Sequence, residues 1–279
     1  MELRCKDHVV SLDRVAIMGV LNVTPDSFSD GGRWLAPDRA IEHGLEMVQQ
    51  GADIIDVGGE STRPDADPVA EAEELDRVLP VIGALNDRLN VPISIDTRKA
   101  SVARAAVQAG ASIVNDTLGE EGSIAEVAAE TGAAIVVMHS RGTPKTMRSL
   151  IEYTDLVEDV HRFLAEKAEQ LEDMGIPSGS IVLDPGFGFA KSPEQNLVLL
   201  NRLERIADLG HPVLSGTSRK SFIGVALDLR EDQRVEGTVA TAVISVMKGA
   251  RLVRVHDIEP VARAIRMTEA VLNERIAPS

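Results

Sequence analysis

The chain has 279 residues, 44% hydrophobic and 26% charged, which is enough apolar material to bury a sizeable core and excludes a long disordered tract. A net charge of -15 and an isoelectric point near 4.9 exclude a general nucleic-acid or anionic-membrane surface, so an anionic ligand must be met by local basic residues. Cys5 is the only cysteine, which excludes an intramolecular disulfide and a cysteine-built zinc site and fits a reducing compartment.

The opening "MELRCKDHVV" has no apolar targeting core, and residues 3–12 read as a short hairpin or cap. Eight short apolar runs follow: "VAIMGVL" from 15, "DIIDVG" from 53, "PISIDT" from 92, "SIVNDT" from 112, "AIVVMH" from 134, "IVLDP" from 181, "PVLSGT" from 212 and "LVRVHD" from 252. None approaches the ~18 consecutive apolar residues of a membrane span, and the expected location is the cytoplasm. Between the runs lie helical signals: Pro37 starts a segment that ends at Gly51, and "VARAAVQAG" ends at Gly110. Apolar strands alternating with helices predict a parallel sheet covered by helices. Eight such units predict a (β/α)8 TIM barrel, with a doubly wound open sheet as the alternative because periodicity does not show closure. No linker divides the chain, so a single domain over residues 1–279 is expected.

Each run ends in polar residues, and in a barrel those ends form the active face. Asn22 follows the first run, Asp56 lies in the second with Glu60 to Pro64 after it, and Asp96 ends the third. Asn115 and Asp116 end the fourth, His139 the fifth and Asp184 the sixth, before "PGFGFAKS". "SGTSRKSFIG" closes the seventh, and Arg254, His256 and Asp257 the eighth. One Asp at a strand end is an ordinary cap or turn residue. Polar groups at all eight ends point to a site.

The residue types divide into two subsites. Asp96, Asn115 and Asp184 suit the N–H edge of a polar heterocycle. Arg63, Arg219, Lys220, Arg254 and His256 suit phosphate or carboxylate, and "TSRKSFIG" reads as a helix start capped by Thr217 or Ser218. No His-x-His, HExxH or Cys pair is present, which argues against a tightly bound zinc or iron centre. Mg²⁺ arriving with a phosphate remains open through the Asn22 oxygen.

Taken together and in order, "GVLNVTPDSFSDGG", "GADIIDVGGESTRP", "PISIDT", "VNDT", "DPGFGFAKS", "GTSRKSFIG" and "VRVHD" resemble the dihydropteroate synthases, the folate-pathway enzymes that sulfonamides target. The resemblance runs from about Val15 through the last helix. It implies a TIM barrel, a homodimer through late helices, and condensation of 6-hydroxymethyl-7,8-dihydropterin diphosphate with 4-aminobenzoate, releasing pyrophosphate. It implies pterin binding by Asp96, Asn115, Asp184 and Lys220, with Asp96 and Lys220 catalytic, and diphosphate and Mg²⁺ binding by Asn22, Arg254 and His256. Around the aminobenzoate it implies Phe28, Thr62, Arg63, Pro64, Phe187 and Ser218, with the loop after the first strand, hinged at Gly31 and Gly32, as a lid.

Asp65 departs from the family, which commonly has Gly after "STRP", and "NDTLGEEGS" is more acidic than the family pattern. Two other functions share the pocket: a pterin-binding methyltransferase module, which has no use for the cations of "TSRKSFIG" and "VRVHD", and a non-catalytic pterin-binding paralogue.

Overall fold

The computed structural model describes residues 1–24, 36–61, 67–116 and 123–276. Strands β1 (Glu2–Cys5) and β2 (His8–Ser11) form an antiparallel hairpin. The chain then alternates β3 (Ala16–Asn22), α1 (Ala36–Gln50), β4 (Ile54–Gly58), α2 (Glu71–Asn86), β5 (Ile93–Asp96), α3 (Ala100–Gln108), β6 (Ile113–Asp116), α4 (Ser123–Thr131) and β7 (Ala134–Met138). It continues through α5 (Leu156–Asp173), β8 (Ile181–Asp184), α6 (Pro193–Asn201), α7 (Glu204–Ala207), β9 (Leu214–Ser215), α8 (Ser221–Leu227), α9 (Val235–Met247), β10 (Leu252–Val255) and α10 (Ile258–Leu272).

The eight strands from β3 onward are parallel neighbours in the order β8-β7-β6-β5-β4-β3-β10-β9. A parallel bridge between Leu183 and Val213, with the Leu183 N–H donating to the Pro212 carbonyl at 2.9 Å, joins the two edges. The sheet is therefore a closed (β/α)8 barrel, and the open-sheet alternative falls. The helix ends expected at Gly51 and Gly110 are present, both glycines at positive φ, where a side chain would strain the backbone.

Side chains alternate across each strand, and the alternation builds two cores. The outward residues, among them Ile17, Ile55, Val57, Ile93, Ile95, Val114, Ile135, Leu183 and Val253, pack against the helices. Their inward neighbours Ala16, Met18, Ile54, Ile113, Ala134, Val136, Val182, Leu214 and Leu252 fill the barrel floor with Leu3, Cys5 and Leu12 of the hairpin segment. The hairpin is thus a plug. Two residues further along four of the inward rows the chemistry changes, from Ile54 to Asp56, Ile113 to Asn115, Val182 to Asp184 and Leu252 to Arg254. The barrel is apolar at one end and polar at the other.

Among the described residues, no helix is long and apolar enough to cross a membrane.

Because Leu3 is fully buried, Leu3→Ala should lower unfolding free energy by about 2–5 kcal/mol through lost burial and a cavity. Val9, 62% exposed on the same hairpin, should tolerate Ala within about 0.5 kcal/mol. Urea unfolding of both variants measures the contrast, and equal losses would rule out the plug.

Candidate active site

The register of the ladder sets the first row of the site. Asn22 pairs with Gly58, Gly58 with Asp96 and Asp96 with Asn115, so these residues lie side by side on β3 to β6. Gly58 leaves the row open: a Cβ there would come within 3.7 Å of both the Asn22 Oδ1 and the Asp96 Cβ. One inward position deeper, Asp56 is aligned with Val20 and Ser94 and is fully buried.

Arg254, on the neighbouring side of β3, ties the two levels together. Its Nε donates to Asp56 Oδ2 and its Nη2 to Asp96 Oδ2, both at 2.6 Å, and Asn115 Nδ2 donates to the same Asp56 oxygen at 3.2 Å. Burial opposes the charge on Arg254, but the carboxylates of Asp56, then Asp96 and Asp184, outweigh it and hold the guanidinium above its ordinary range. In this structure Arg254 is a paired cation within the barrel.

Asp184, at the end of β8, accepts the Gly186 N–H at 2.7 Å. Burial pushes its carboxyl up, against that hydrogen bond and the charges of Lys220, Arg254 and Lys191. The "GFG" glycines are more than turn residues here. At Gly186, φ is +72° and a Cβ would fall 2.0 Å from the His139 carbonyl oxygen; at Gly188, φ is +80° and a Cβ would meet Lys220 Cδ at 3.0 Å. The Lys220 ammonium in turn lies 4.2 Å from the Phe189 ring centre.

Lys191 fastens this loop from within. Its buried ammonium donates to the carbonyls of Gly186 at 2.9 Å and Phe189 at 3.0 Å and to His139 Nδ1 at 3.0 Å. Burial, which outweighs the attraction of Asp184, lowers its pKa to about 7. His139 is a satisfied buried histidine: it accepts from Lys191 and stands edge-on to Phe163 at 5.0 Å, and burial followed by the Lys191 and Arg141 charges holds it at about 3.

The loop after β9 differs from the expected helix start. Helix α8 begins at Ser221 with Lys220 in the cap position and no side-chain cap bond, so neither Thr217 nor Ser218 is the cap. Arg219 takes a left-handed conformation, φ +56°. Three remote groups hold it there: its N–H donates to Thr238 Oγ1 at 3.0 Å, Arg234 Nη1 donates to its carbonyl at 2.9 Å, and Asp257 takes its guanidinium at 2.9 and 2.5 Å. The charge expected from Arg219 is therefore answered by Asp257.

Ser218 instead serves His256, its hydroxyl accepting the His256 backbone N–H at 3.1 Å and lying 3.0 Å from ring Nδ1. Burial, then the Arg254 and Arg219 charges, lower His256 to about 3, so at neutral pH it is a neutral hydrogen-bonding group and not the cation its sequence position suggests. Asn22, Arg219, His256, Asp257 and Ile258 line a rim cavity of about 650 Å³.

The structure thus brings Asn22, Asp96, Asn115, Asp184, Lys220, Arg254, His256 and Ser218 to one end of the barrel. Phe187 is buried in the sheet–helix core with its ring 6.4 Å from that of Phe222. Phe28, Gly31, Gly32, Thr62, Arg63, Pro64 and Asp65 lie outside the described residues, and with them the lid expected after the first strand. Sequence reasoning placed Asp56 in its strand without a role and passed over Lys191. The period-two step from Ile54 was the available signal for Asp56.

It also passed over an ion network at the stem of the loop after β4. There Glu60 takes Arg98 and Lys99, and Glu74, fully buried, takes Lys99 and the Thr97 hydroxyl.

Comparison with known proteins agrees with this geometry. The pterin binding enzyme family matches residues 18–256. The dihydropteroate synthase of Bacillus subtilis is 49% identical over 264 residues, covering 94% of this chain and 90% of that protein. The Yersinia pestis dihydropteroate synthase, solved in a sulfonamide drug complex, is 44% identical with a TM-score of 0.92, covering 98% of this chain and all of that one. That of Xanthomonas albilineans in complex with 7,8-dihydropteroate is 41% identical with a TM-score of 0.89, covering 98% and 99%.

The depressed His139 fixes the sign of one pH effect. Below its ordinary 6.5 the unfolded chain takes up a proton that the folded chain refuses until about 3, so stability contributed by the neutral ring is lost as pH falls through that window. Urea unfolding between about pH 7 and about pH 5 should show a shallower loss in His139→Gln than in the parent chain, and parallel losses would contradict the buried neutral ring.

Proposed function

The chain belongs to the dihydropteroate synthases within the pterin-binding enzymes, and from that premise we propose that its barrel mouth joins 6-hydroxymethyl-7,8-dihydropterin diphosphate to 4-aminobenzoate by diphosphate departure followed by amine attack. The observation that carries this reading is the separation of acceptors from donors. Asp96, Asn115 and Asp184 sit on inward rows where the N–H edge of a pterin would find them, and Lys220, Ser218 and His256 stand at the rim where an anion would lie.

The reaction needs electrostatics more than a strong base. The C–O bond breaks with its electrons leaving on pyrophosphate, the C–N bond forms, and the amine gives up a proton. The Asp96 carboxylate would face the positive charge that develops on the pterin, and Lys220 would lie between the ring edge and the departing oxygens. No covalent enzyme intermediate is required.

Mg²⁺ fits the donor set only as a companion of the diphosphate. Among the described residues no group of three His, Cys, Asp or Glu could hold a cation, and Asp56 and Asp96 are engaged by Arg254. The Asn22 amide oxygen could supply one ligand to an ion that keeps phosphate and water for the rest, and bound there the ion would neutralise leaving-group charge.

A homodimer is supported by apolar side chains left exposed on the late helices, including Val225 and Leu227 of α8, Met247 of α9 and Met267, Val271 and Leu272 of α10. A cytoplasmic location accords with the buried free thiol of Cys5. Sulfonamides, found with the Yersinia pestis relative, would compete with 4-aminobenzoate.

Formation of 7,8-dihydropteroate with stoichiometric pyrophosphate should require both the pterin diphosphate and 4-aminobenzoate; no such product with both present would overturn the reading. Asp96→Asn, folded by circular dichroism, should turn over roughly a hundredfold more slowly, the worth of one electrostatic contact to a developing charge. Near-normal turnover would remove Asp96 from that role.

A further inference from the structure

We propose that Asp56 is a positioning residue of the pterin site: it holds Arg254 by Nε as a fixed pivot, so that the far end of the guanidinium can release Asp96 when the substrate ring takes that carboxylate. The inference rests on the reading of the barrel mouth as a pterin pocket and adds to it a residue that touches no substrate.

Arg254 is shared between two carboxylates at different depths. Asp56 is fully buried and level with Val20 and Ser94, whereas Asp96 is one inward position nearer the mouth and level with Gly58 and Asn115. The two bonds are equally short, 2.6 Å from Nε to Asp56 and 2.6 Å from Nη2 to Asp96, but they are not equally replaceable. A ligand entering from the mouth reaches Asp96 first. At Asp56 there is little to substitute for the arginine. Its Oδ2 carries both the Arg254 bond and the 3.2 Å bond from Asn115 Nδ2, while its Oδ1 is buried and has no hydrogen-bond partner among the described residues.

Ser94 Oγ, on the residue in register with Asp56, is likewise buried and without a partner. A buried carboxylate left without its cation is strongly disfavoured, so the Asp56 bond persists when the Asp96 bond is exchanged.

The exchange arises where a ring N–H takes the same oxygen that Arg254 holds. Asp96 presents one oxygen to Arg254, and a ring N–H seeking that carboxylate competes with Nη2 for it. With Nε fixed, Nη2 moves by rotation about a held point and stays beside the ring. Without Asp56, the guanidinium keeps Asp96 as its remaining full-charge partner and opposes the ligand. Asp56 also steers Asn115, so one buried oxygen orients two groups at the pocket wall.

Asp56→Asn preserves shape and removes the charge. It should raise KM for the pterin diphosphate roughly tenfold to a hundredfold, the worth of one charge-assisted hydrogen bond, with KM for 4-aminobenzoate at saturating pterin diphosphate changed less than about twofold. In an Arg254→Gln background the same substitution should change KM for the pterin diphosphate no more than about threefold, because only the longer Asn115 contact remains for it to act through. An equal KM change in both backgrounds would mean a merely structural role, and an unchanged KM in the single variant would overturn the pivot.

Should Asp56→Asn fail to fold, the parent chain labelled with ¹⁵N-arginine decides the question by NMR, the Arg254 Nε–H being assigned through its loss in Arg254→Lys. Its exchange with water should stay slow as a pterin is added, and acceleration on binding would show that the pivot lets go. A parent chain that releases no pyrophosphate when given both the pterin diphosphate and 4-aminobenzoate would instead sink the underlying assignment, a result distinct from normal turnover with an unaffected Asp56→Asn.

Discussion

Three carboxylates inside one barrel, Asp56, Asp96 and Asp184, are tolerable only with cations built in beside them, because an unpaired buried charge costs several kcal/mol even after the protein relaxes. Arg254 is bonded to the first two and contributes its field to the third. It reaches them because β10 pairs with β3, whose other neighbour β4 carries Asp56, with Asp96 on β5 beyond it. Strand order, charge balance and the shape of the mouth are therefore one constraint. The bridge from Leu183 to Val213 then closes the ring and brings β8, with Asp184 at its end, beside β9.

The rest of the molecule keeps that layer at the right depth. The hairpin fills one end with Leu3, Cys5 and Leu12, so the inward rows are apolar up to a definite level and polar beyond it. The rim is then fixed loop by loop, each by a charged group that does not face a substrate: Lys191 for the loop after β8, Asp257 for the left-handed turn at Arg219, and Glu60 with Lys99 and Glu74 for the stem after β4. Rigid supports of this kind suit a reaction whose catalysis lies in preorganised charge.

Much of this was legible in the sequence, and what was not has physical reasons. Continuous apolar runs and helix stops at Gly51 and Gly110 mark the strands and helices because burial on both faces and backbone freedom at a helix end are local effects of residue type. The expected cap at Thr217 or Ser218 failed because Arg219 is held left-handed by Asp257, Thr238 and Arg234, partners 38, 19 and 15 residues away. The same holds for Arg254, whose carboxylates lie 198 and 158 residues back along the chain. A cation in an apolar strand announces a partner but not which one, so the strand pattern pointed to an anion for Arg254 and did not show its pairing with Asp56 and Asp96. Lys191 lies inside a recognised motif, and nothing local in the sequence marks that its ammonium turns inward to the Gly186 and Phe189 carbonyls.

The central claim is that the polar layer bounded by Asp96, Asn115 and Asp184 receives the pterin ring beneath the rim. A crystal structure of this chain with 7,8-dihydropteroate tests it most directly. The account predicts the ring's nitrogen edge within hydrogen-bond distance of Asp96, Asn115 and Asp184, with Arg254 still bonded to Asp56. A ring seated outside that layer, in the rim cavity beside His256 and Ile258 with the Arg254–Asp96 bond intact, would contradict it.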